Sequence, residues 1–353
     1  MKTNILQARK ALLALFAMLV PLLASAQTEV KIDGIWYNLV SKAKQAEVIN
    51  FYDDEYSGSI TLPATVTYNG VTYSVTSIGS SAFSGCNDLT TITLPEGVTS
   101  IGSSAFSGCS SLTDITIPAS VTSIGEYAFY NCYRLYAITI PESMTSIGSC
   151  AFSSCSSLTD ITIPENSQLT SIGSSAFSGC SSLTDITIPE NSQLTSIGEY
   201  AFDGCSSLTT ITLPEGVTSI GERAFCDCSS LTTIVLPKSV EHIYSNAFSN
   251  CLELSDVYCY AETVPGTEAD AFNDSYIEYA TLHVPASAMN DYKTTAPWSS
   301  FGNILALTEE ETDVEQLTKD NSQLIIYDLC GQRIDRIERG GIYIVNGKKV
   351  VIK

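Results

Sequence analysis

One phrase of 23 to 25 residues recurs along this chain, and this repetition constrains the fold more than any other feature. Nine Phe residues each follow an Ala, at spacings of 23, 23, 23, 25, 25, 23, 23 and 24. They are Phe83, Phe106, Phe129, Phe152, Phe177, Phe202, Phe225, Phe248 and Phe272. The two 25-residue units share the insertion PENSQLTSIG, at 164–173 and 189–198. A fixed period of this length indicates one structural unit stacked many times.

Each unit predicts two short strands and a turn. LTDITIP alternates inward Ile with outward Asp or Thr, and Pro118 and its equivalents end this strand. VTSIG predicts a second extended piece with a corner at Gly102 and its equivalents, and SSAF predicts a single helical turn. The residue before each repeated Cys is Gly, Asn or Asp, with Ser154 as the exception, which predicts a left-handed turn there.

Stacking is the way such units bury their apolar residues. One unit is too small to cover its own Ile, Leu and Phe, so stability comes from the contacts between neighbouring units. We therefore predict a β-rich repeat solenoid of nine or ten coils, with parallel strands about 4.8 Å apart.

The repeated phrase also resembles a known family. Cys-x-x-Leu-x-x-Ile-x-Leu-Pro followed by Ile-Gly-x-x-Ala-Phe-x-x-Cys, over about residues 58–285, is similar to the BspA-like leucine-rich repeat family of bacterial surface proteins. The resemblance implies a right-handed leucine-rich repeat coil, binding on the solenoid surface, adhesion to host matrix proteins or other cells, and no catalysis. The sequence departs from the family at the two inserted loops, at Tyr244 in place of Gly and at Ser275 in place of Cys.

The first 26 residues predict a signal peptide. Lys2, Arg9 and Lys10 precede an apolar stretch, and Ala24-Ser25-Ala26 fits a cleavage site. An uncleaved membrane anchor is the alternative, but the apolar run is short for a spanning helix. We expect an exported chain, at the cell surface or secreted, with no transmembrane segment after cleavage.

Charge is unevenly distributed along the chain. Removing residues 1–26 takes away three positive charges and no acids, so the formal charge moves from −21 to −24. Residues 27–330 carry 8 basic and 36 acidic residues, whereas 331–353 carry six basic and two acidic ones. An acidic surface repels nucleic acid and anionic membranes, so neither is an expected partner. It suits cationic ligands or calcium, and it also suits solubility outside the cell.

Caps and a C-terminal module are expected around the solenoid, since open ends expose core. We predict an N-terminal cap over 27–57, the solenoid over 58–279, a C-terminal cap over 280–307 plugged by Trp298 and Phe301, and a linker over 308–321. Residues 322–353 predict a small β module, because Asn346-Gly347 is a strong hairpin signal. This segment resembles the C-terminal sorting module of type IX secretion. A strand that packs on the cap is the alternative.

The cysteines predict a ladder of buried free thiols. Eight share one repeat position, so counterparts lie about one strand spacing apart, farther than a disulfide prefers. These eight are Cys86, Cys109, Cys132, Cys155, Cys180, Cys205, Cys228 and Cys251. Cys150, Cys226, Cys259 and Cys330 lie outside the ladder, and a disulfide between Cys150 and Cys155 is an alternative at one coil. With no CxxC pair and only His242 and His283 available, we expect no zinc, no other metal and no cofactor.

Two surfaces are candidates for binding, and none is a candidate for catalysis. The segment EYAFYNCYRLYAI (126–138) puts large residues where other units carry Ser or Thr: Tyr127, Tyr130, Tyr133, Arg134 and Tyr136. Tyr and Arg are frequent at binding hot spots. The outward strand positions Asp114, Asp160 and Asp185 form the second candidate, with Asp160 and Asp185 predicted side by side. Each surface also has a structural alternative: local repacking for the tyrosines, a solvated polar face for the acids.

The functional prediction is therefore recognition outside the cell. We expect an extracellular protein ligand, for example a host matrix protein, bound by an adhesive repeat protein. A glycan-binding module and a passive structural spacer are the alternatives. The absence of a nucleophile, base or metal motif argues against an enzyme.

Overall fold

The chain forms a β-solenoid, as the repeat predicts. The computed structural model describes residues 27–50, 56–164, 166–189 and 192–308, together with the strand segments 326–327, 333–334, 341–345 and 348–352. The predicted signal peptide, most of the predicted linker, Cys330 and the Asn346-Gly347 turn lie outside the described residues. No helix in the described parts is both long and apolar enough to cross a membrane.

The first side of each coil carries the LTxITIP strand. These strands pair in parallel and in register, for example Ile161 with Ile186, so identical positions lie in columns along the solenoid. They form two sheets, β4-β7-β9 and β11-β13-β15-β17-β19-β21-β23-β24. Their bounds are β4 Gly58–Thr61, β7 Leu89–Thr93, β9 Asp114–Thr116, β11 Ala137–Thr139, β13 Asp160–Thr162, β15 Asp185–Thr187, β17 Thr210–Thr212, β19 Thr233–Leu236, β21 Asp256–Cys259, β23 Thr281–Val284 and β24 Asn303–Ala306.

The second side carries the shorter strand of VTSIG. Each is a two-residue Ser-Ile strand or its equivalent, with the Ile buried in the core and paired to the Ile of the next coil. Their bounds are β8 Ser100–Ile101, β10 Ser123–Ile124, β12 Ser146–Ile147, β14 Ser171–Ile172, β16 Ser196–Ile197, β18 Ser219–Ile220, β20 His242–Ile243 and β22 Gly266–Thr267. Thr hydroxyls support this side by donating to the preceding coil, as Thr122 Oγ1 does to the Thr99 carbonyl at 3.3 Å.

The third side, which we call the turn side, is a run of hydrogen-bonded turns. The predicted helical turn at SSAF is wrong, because the residue two before each Phe from Phe83 to Phe248 has a positive φ, as at Ser104 with 55°. The turns are held by backbone bonds between coils, such as Phe106 N–H to the Ala128 carbonyl at 2.7 Å. The left-handed residue before each Cys is confirmed, and Ser154 adopts it too, with φ 62°.

The Phe side chains form one aromatic column through the core. Successive rings lie 5.1 to 5.4 Å apart and stack within 13° of parallel from Phe83 to Phe272. We number the coils 1 to 9 by these nine Phe residues. Tyr56 closes the column at one end, 5.0 Å from Phe83. Trp298 and Phe301 close it at the other, each 5.5 Å from Phe272, which confirms the predicted plug.

The N-terminal end is built from antiparallel strands. β1 Gln27–Ile32, β2 Ile35–Val40 and β3 Gln45–Ile49 form a meander, and β3 pairs in parallel with β6 Val71–Ile78, which leads into coil 1. β5 Thr65–Tyr68 pairs with β6 through the Asn69-Gly70 turn, where both residues have positive φ. The antiparallel strands therefore cover the sheet edge that coil 1 would otherwise expose.

The C-terminal end adds one strand more than the sequence predicts. After β23 come helix α1 Met289–Thr294 and a 3-10 turn, Trp298–Ser300, followed by β24, which pairs in parallel with β23. A further 3-10 turn, Ile277–Tyr279, precedes β23. A separate four-stranded sheet contains β25 Ile326–Tyr327, β26 Arg333–Ile334, β27 Gly341–Val345 and β28 Lys348–Ile352, with β27 and β28 antiparallel.

The corner glycines set the closeness of the coils. A Cβ at Gly148 would lie 2.6 Å from the carbonyl carbon of Gly125 and 2.7 Å from the amide of Glu126, with the same crowding at the other corners. The backbones touch at these glycine corners, so a Cβ does not fit there, whereas Tyr244 occupies the equivalent corner of coil 8. Gly179, in contrast, lies before a ladder Cys with φ +73°, and Asn131 and Asn250 occupy the same position in other coils.

Replacing a corner glycine should open the stack. We expect Gly148→Ala to lower the free energy of unfolding by about 2 kcal/mol or more, because the new methyl group forces two backbones apart. Gly179→Asn is the matched control and should cost less than about 1 kcal/mol, since Asn tolerates positive φ. Urea unfolding followed by circular dichroism measures both, and equal losses would contradict this account of the corner.

Candidate functional site

Two of the predicted tyrosines pack against each other on the turn side of coil 3. The Tyr127 and Tyr130 rings meet edge to face, with centroids 5.6 Å apart. Tyr127 is 44 % exposed, and Tyr130 is half-buried. The backbone fixes both, since Tyr127 N–H donates to the Ser149 carbonyl and the Tyr130 carbonyl accepts from Gly108 N–H. The pair therefore presents an aromatic surface on a hydrogen-bonded backbone.

The other three residues of the segment follow in the same coil. Tyr133 and Tyr136 are 46 % and 52 % exposed, and Arg134 is exposed. Tyr136 stands in a column of Thr residues whose hydroxyls donate to the preceding coil, as Thr113 Oγ1 does to the Thr90 carbonyl at 3.2 Å. A phenol at this position projects from the surface where the repeat otherwise presents a short side chain.

The acidic residues predicted on the first side are exposed there, and two of them are neighbours. Asp160 and Asp185 are direct partners across β13 and β15, whereas Asp114 pairs with Thr91. Desolvation raises the pKa of the Asp185 carboxyl, the Ile186 amide opposes this, and the charge of Asp160 raises the pKa further. Thr162 Oγ1 donates to Asp160 Oδ1 at 3.2 Å, so this carboxylate has a partner of its own.

A second cluster, on the turn side of coils 6 and 7, was missed at the sequence level. The guanidinium of Arg223 lies 3.4 Å from Asp203 Oδ1 and 3.5 Å from Asp227 Oδ2, and 5.5 Å from the centre of the Tyr200 ring. Tyr200 also donates to Glu222 Oε1 at 3.4 Å. Tyr200, Asp203 and Arg223 stand where coils 1, 2 and 5 carry Ser, and Asp227 stands where those coils carry Gly. These departures from the repeat were the signal available in the sequence.

This cluster also contains the one group in the described residues whose atoms could hold a metal. Ligand atoms of Asp203, Cys226 and Asp227 lie within 4.8 Å of one another. Arg223 already places a positive charge between the two carboxylates, and Cys226 Sγ lies 3.4 Å from Asp227 Oδ2 as a donor. Burial, helped by Asp227, raises the pKa of the Cys226 thiol to about 12, so it remains protonated at neutral pH. The cluster is arranged as an ion pair.

The eight ladder cysteines are buried free thiols, as predicted, and seven of them donate a hydrogen bond that was not predicted. Each Sγ from Cys109 to Cys251 donates to the Phe carbonyl of the preceding coil, at 3.0 to 3.4 Å. Ser275, which is fully buried, makes the same bond to the Phe248 carbonyl, so it continues the ladder in coil 9. The ladder links coils as well as filling space.

The remaining cysteines in the described residues are also free. The disulfide considered between Cys150 and Cys155 is not formed: Cys155 donates into the core to Phe129, while Cys150 lies partly exposed on the turn side. Cys259 contacts the Tyr292 hydroxyl at 3.2 Å, and burial raises the pKa of its thiol to about 11. Of the two histidines, His283 lies close to an acid: its Nε2 is 3.2 Å from Asp256 Oδ1.

The repeat matches a known family model. The BspA type leucine rich repeat region is found in six copies, over residues 50–169, 76–193 and 170–292. This chain belongs to the BspA-type leucine-rich repeat family. Solenoids of this family are in general non-enzymatic scaffolds that bind proteins.

Solved structures of other leucine-rich repeat proteins are similar to this one. A leucine-rich repeat protein from Bacteroides ovatus is 28 % identical, with a TM-score of 0.60, and the alignment covers 79 % of this chain and 76 % of that chain. A leucine rich cell surface protein from Faecalibacterium prausnitzii is 24 % identical, with a TM-score of 0.44, covering 80 % and 96 % of the two chains. The T. pallidum leucine rich repeat protein is 27 % identical, with a TM-score of 0.46, covering 64 % and 91 %. No curated protein matches the chain.

The thiol ladder of this BspA-type solenoid should make its stability fall at alkaline pH. Burial raises the pKa of Cys132 and of Cys180 from 9.0 to about 12. Unfolded thiols ionise first, so the stabilisation is complete below pH 9.0 and is lost as the pH rises toward about 12. We expect Cys132→Ser with Cys180→Ser to reduce this loss by up to about 1.4 kcal/mol per pH unit for each thiol.

The Ala pair at the same two positions is the control for the hydrogen bonds. It should show the same weaker pH dependence but lower stability at pH 8, because the carbonyls of Phe106 and Phe152 lose a donor. Urea unfolding between pH 8 and pH 11 measures all three chains. A wild-type slope in both variants would show that the thiols do not titrate on unfolding.

Proposed function

We propose that this chain is an exported leucine-rich repeat protein of the cell surface, and that it recognises another protein in adhesion to host matrix or to other cells. The observation that carries this proposal is the coil 3 surface, defined as Tyr127, Tyr130, Tyr133, Arg134 and Tyr136. In a scaffold that otherwise repeats Ser and Thr, three of these tyrosines are 44 to 52 % exposed. Such residues supply large contact area at little cost in side-chain entropy.

The solenoid supports recognition in a second way. Its core side chains pack between neighbouring coils. Its outward-facing positions form columns on each side of the coil. A partner therefore meets an elongated surface, as is usual for solenoids. The leader pattern at 1–26 and the acidic surface fit a location outside the cell.

Returning the coil 3 surface to the repeat consensus should abolish recognition. We expect Tyr127→Ser, Tyr130→Ser, Tyr133→Ser, Arg134→Ser and Tyr136→Thr together to lower affinity at least 100-fold for any protein captured by the wild type. Ser or Thr occupies these positions in coil 2, so the variant should still fold. The experiment is a binding screen against matrix proteins and a glycan array, followed by titration.

The outcomes separate the candidates for this surface. Capture of a protein that depends on coil 3 supports the proposal, and glycan binding with no protein ligand would support a glycan-binding module in its place. Equal binding by both chains would remove coil 3 from recognition. No ligand in either screen would indicate a passive spacer. Glu96→Ala, outside both candidate surfaces, is the control and should bind as the wild type does.

We further propose that residues 322–353 are a sorting module of the type IX kind. The antiparallel pair β27 and β28, and the six basic residues of 331–353, support it. Deleting 322–353 should leave the solenoid folded and abolish surface display in a bacterium that has this secretion route. Surface labelling of cells that express either chain measures this, and unchanged display of the shortened chain would reject the sorting role.

A further inference from the structure

The large residues of the turn side fall in two columns. One column is the position two residues before each Phe, and the other is the position directly after it. In coils 1, 2, 4 and 5 both columns hold only Ser, apart from Cys150. Coil 3 holds Tyr127 and Tyr130, coil 6 holds Tyr200 and Asp203, and coil 7 holds Arg223 and Cys226.

Backbone hydrogen bonds place these columns on one continuous surface. The turn of each coil donates to the next, as Tyr127 N–H does to Ser149, Ser175 N–H to Glu199 and Tyr200 N–H to Glu222. Two groups of large side chains therefore stand on the same side, with the short side chains of coils 4 and 5 between them. A bound chain can approach the backbone closely over that middle part.

The distance between the two groups suits a short extended peptide. Three steps of 5.1, 5.4 and 5.4 Å separate the rings of Phe129, Phe152, Phe177 and Phe202. An extended chain advances about 3.3 Å per residue, so about five or six residues reach from coil 3 to coils 6 and 7.

Charge indicates the chemistry of that peptide. Around the second group lie Glu199, Asp203, Glu222 and Asp227, with Arg223 as the single base. Asp203 and Asp227 retain 22 % and 45 % side-chain exposure, and Arg223 approaches each of them with one nitrogen. Asp227 Oδ1 already accepts from Asn250 Nδ2. Each carboxylate oxygen has a second lone pair, so these two groups can still accept hydrogen bonds from a further cation. Glu126 is exposed beside Tyr127 in coil 3, where two ring faces can receive a cation as well.

We propose that the turn side of coils 3 to 7 binds an extended, Lys- or Arg-rich segment of a protein partner, with the Tyr127–Tyr130 pair at one end and the Asp203–Arg223–Asp227 cluster at the other. This rests on the proposed function and adds the chemistry of the partner. The coils between the two ends supply Ser hydroxyls to the peptide backbone.

The experiment uses a fluorescent, capped ten-residue peptide of alternating Lys and Ser, and a matched peptide of Glu and Ser. The first variant returns coils 6 and 7 to the consensus: Tyr200→Ser, Asp203→Ser, Arg223→Ser, Cys226→Ser and Asp227→Gly. It removes two acids and one base, so its net charge rises by one. The control Glu96→Ala changes net charge by the same amount, lies outside coils 3 to 7 and introduces the residue that the next unit carries at this position, Ala119.

We expect the Lys-Ser peptide to bind the wild type and the control within a factor of two of each other, and the coil 6–7 variant at least 10-fold more weakly. A four-residue Lys-Ser peptide, too short to reach both ends, should also bind at least 10-fold more weakly. Equal loss in both variants would mean that general acidity binds the peptide, and this would overturn the proposal. Binding of the Glu-Ser peptide, or no binding of the Lys-Ser peptide, would overturn it too.

A separate readout distinguishes this inference from the proposed function. A protein captured in the ligand screen depends on coil 3 if the proposed function holds. If the coil 6–7 variant binds that protein as tightly as the wild type, the inference fails and the proposed function stands. If no protein is captured but the peptide binds as expected, the proposed function fails and the assignment of a peptide-binding surface to coils 3 to 7 stands.

Discussion

The contact between one coil and the next is the constraint on which the rest of the structure depends. Rings stack 5.1 to 5.4 Å apart along the core, and the backbones come close enough at the glycine corners to exclude a Cβ. Both features force the coils to stay parallel and in register. Because of this register, every position of the repeat becomes a column, and any change in the repeated phrase appears as a change on one defined side of the molecule.

Polar groups in the core also form a column, with one at the same repeat position in successive coils. A thiol satisfies a carbonyl of the preceding coil, and Ser275 does the same with a hydroxyl. A small residue with a single donor is what this position needs, which explains why Cys recurs there without forming disulfides. The ladder therefore has a structural role, and the residues available for recognition are those outside the columns that hold the stack.

Much of the fold could be predicted from the sequence because the repeat reports the same environment many times. The strands, the left-handed residue before each Cys and the aromatic plug all have local signals. Ser154 was an apparent exception, yet it adopts φ 62° because its backbone is bonded to the next coil. The same bonds impose positive φ on Tyr127 and Arg223, which carry no local signal for it, and the predicted helical turn was wrong for this reason. Of the candidate site, the tyrosines were visible as departures from the repeat, whereas the cluster around Arg223 required its neighbours from two coils to be seen together.

The near-identity of successive coils has a consequence for how the chain reaches this state. Residues 156–173 and 181–198 have the same sequence, SSLTDITIPENSQLTSIG, so a strand can find an equivalent partner one unit away from its own. Skipping a unit in this way would keep most of the stacking and leave one loop of 23 to 25 residues outside. What penalises such a mistake is the set of unrepeated residues, namely the two ends and the side chains that pair only with a particular neighbour. The irregular positions therefore determine which coil packs against which as the chain folds.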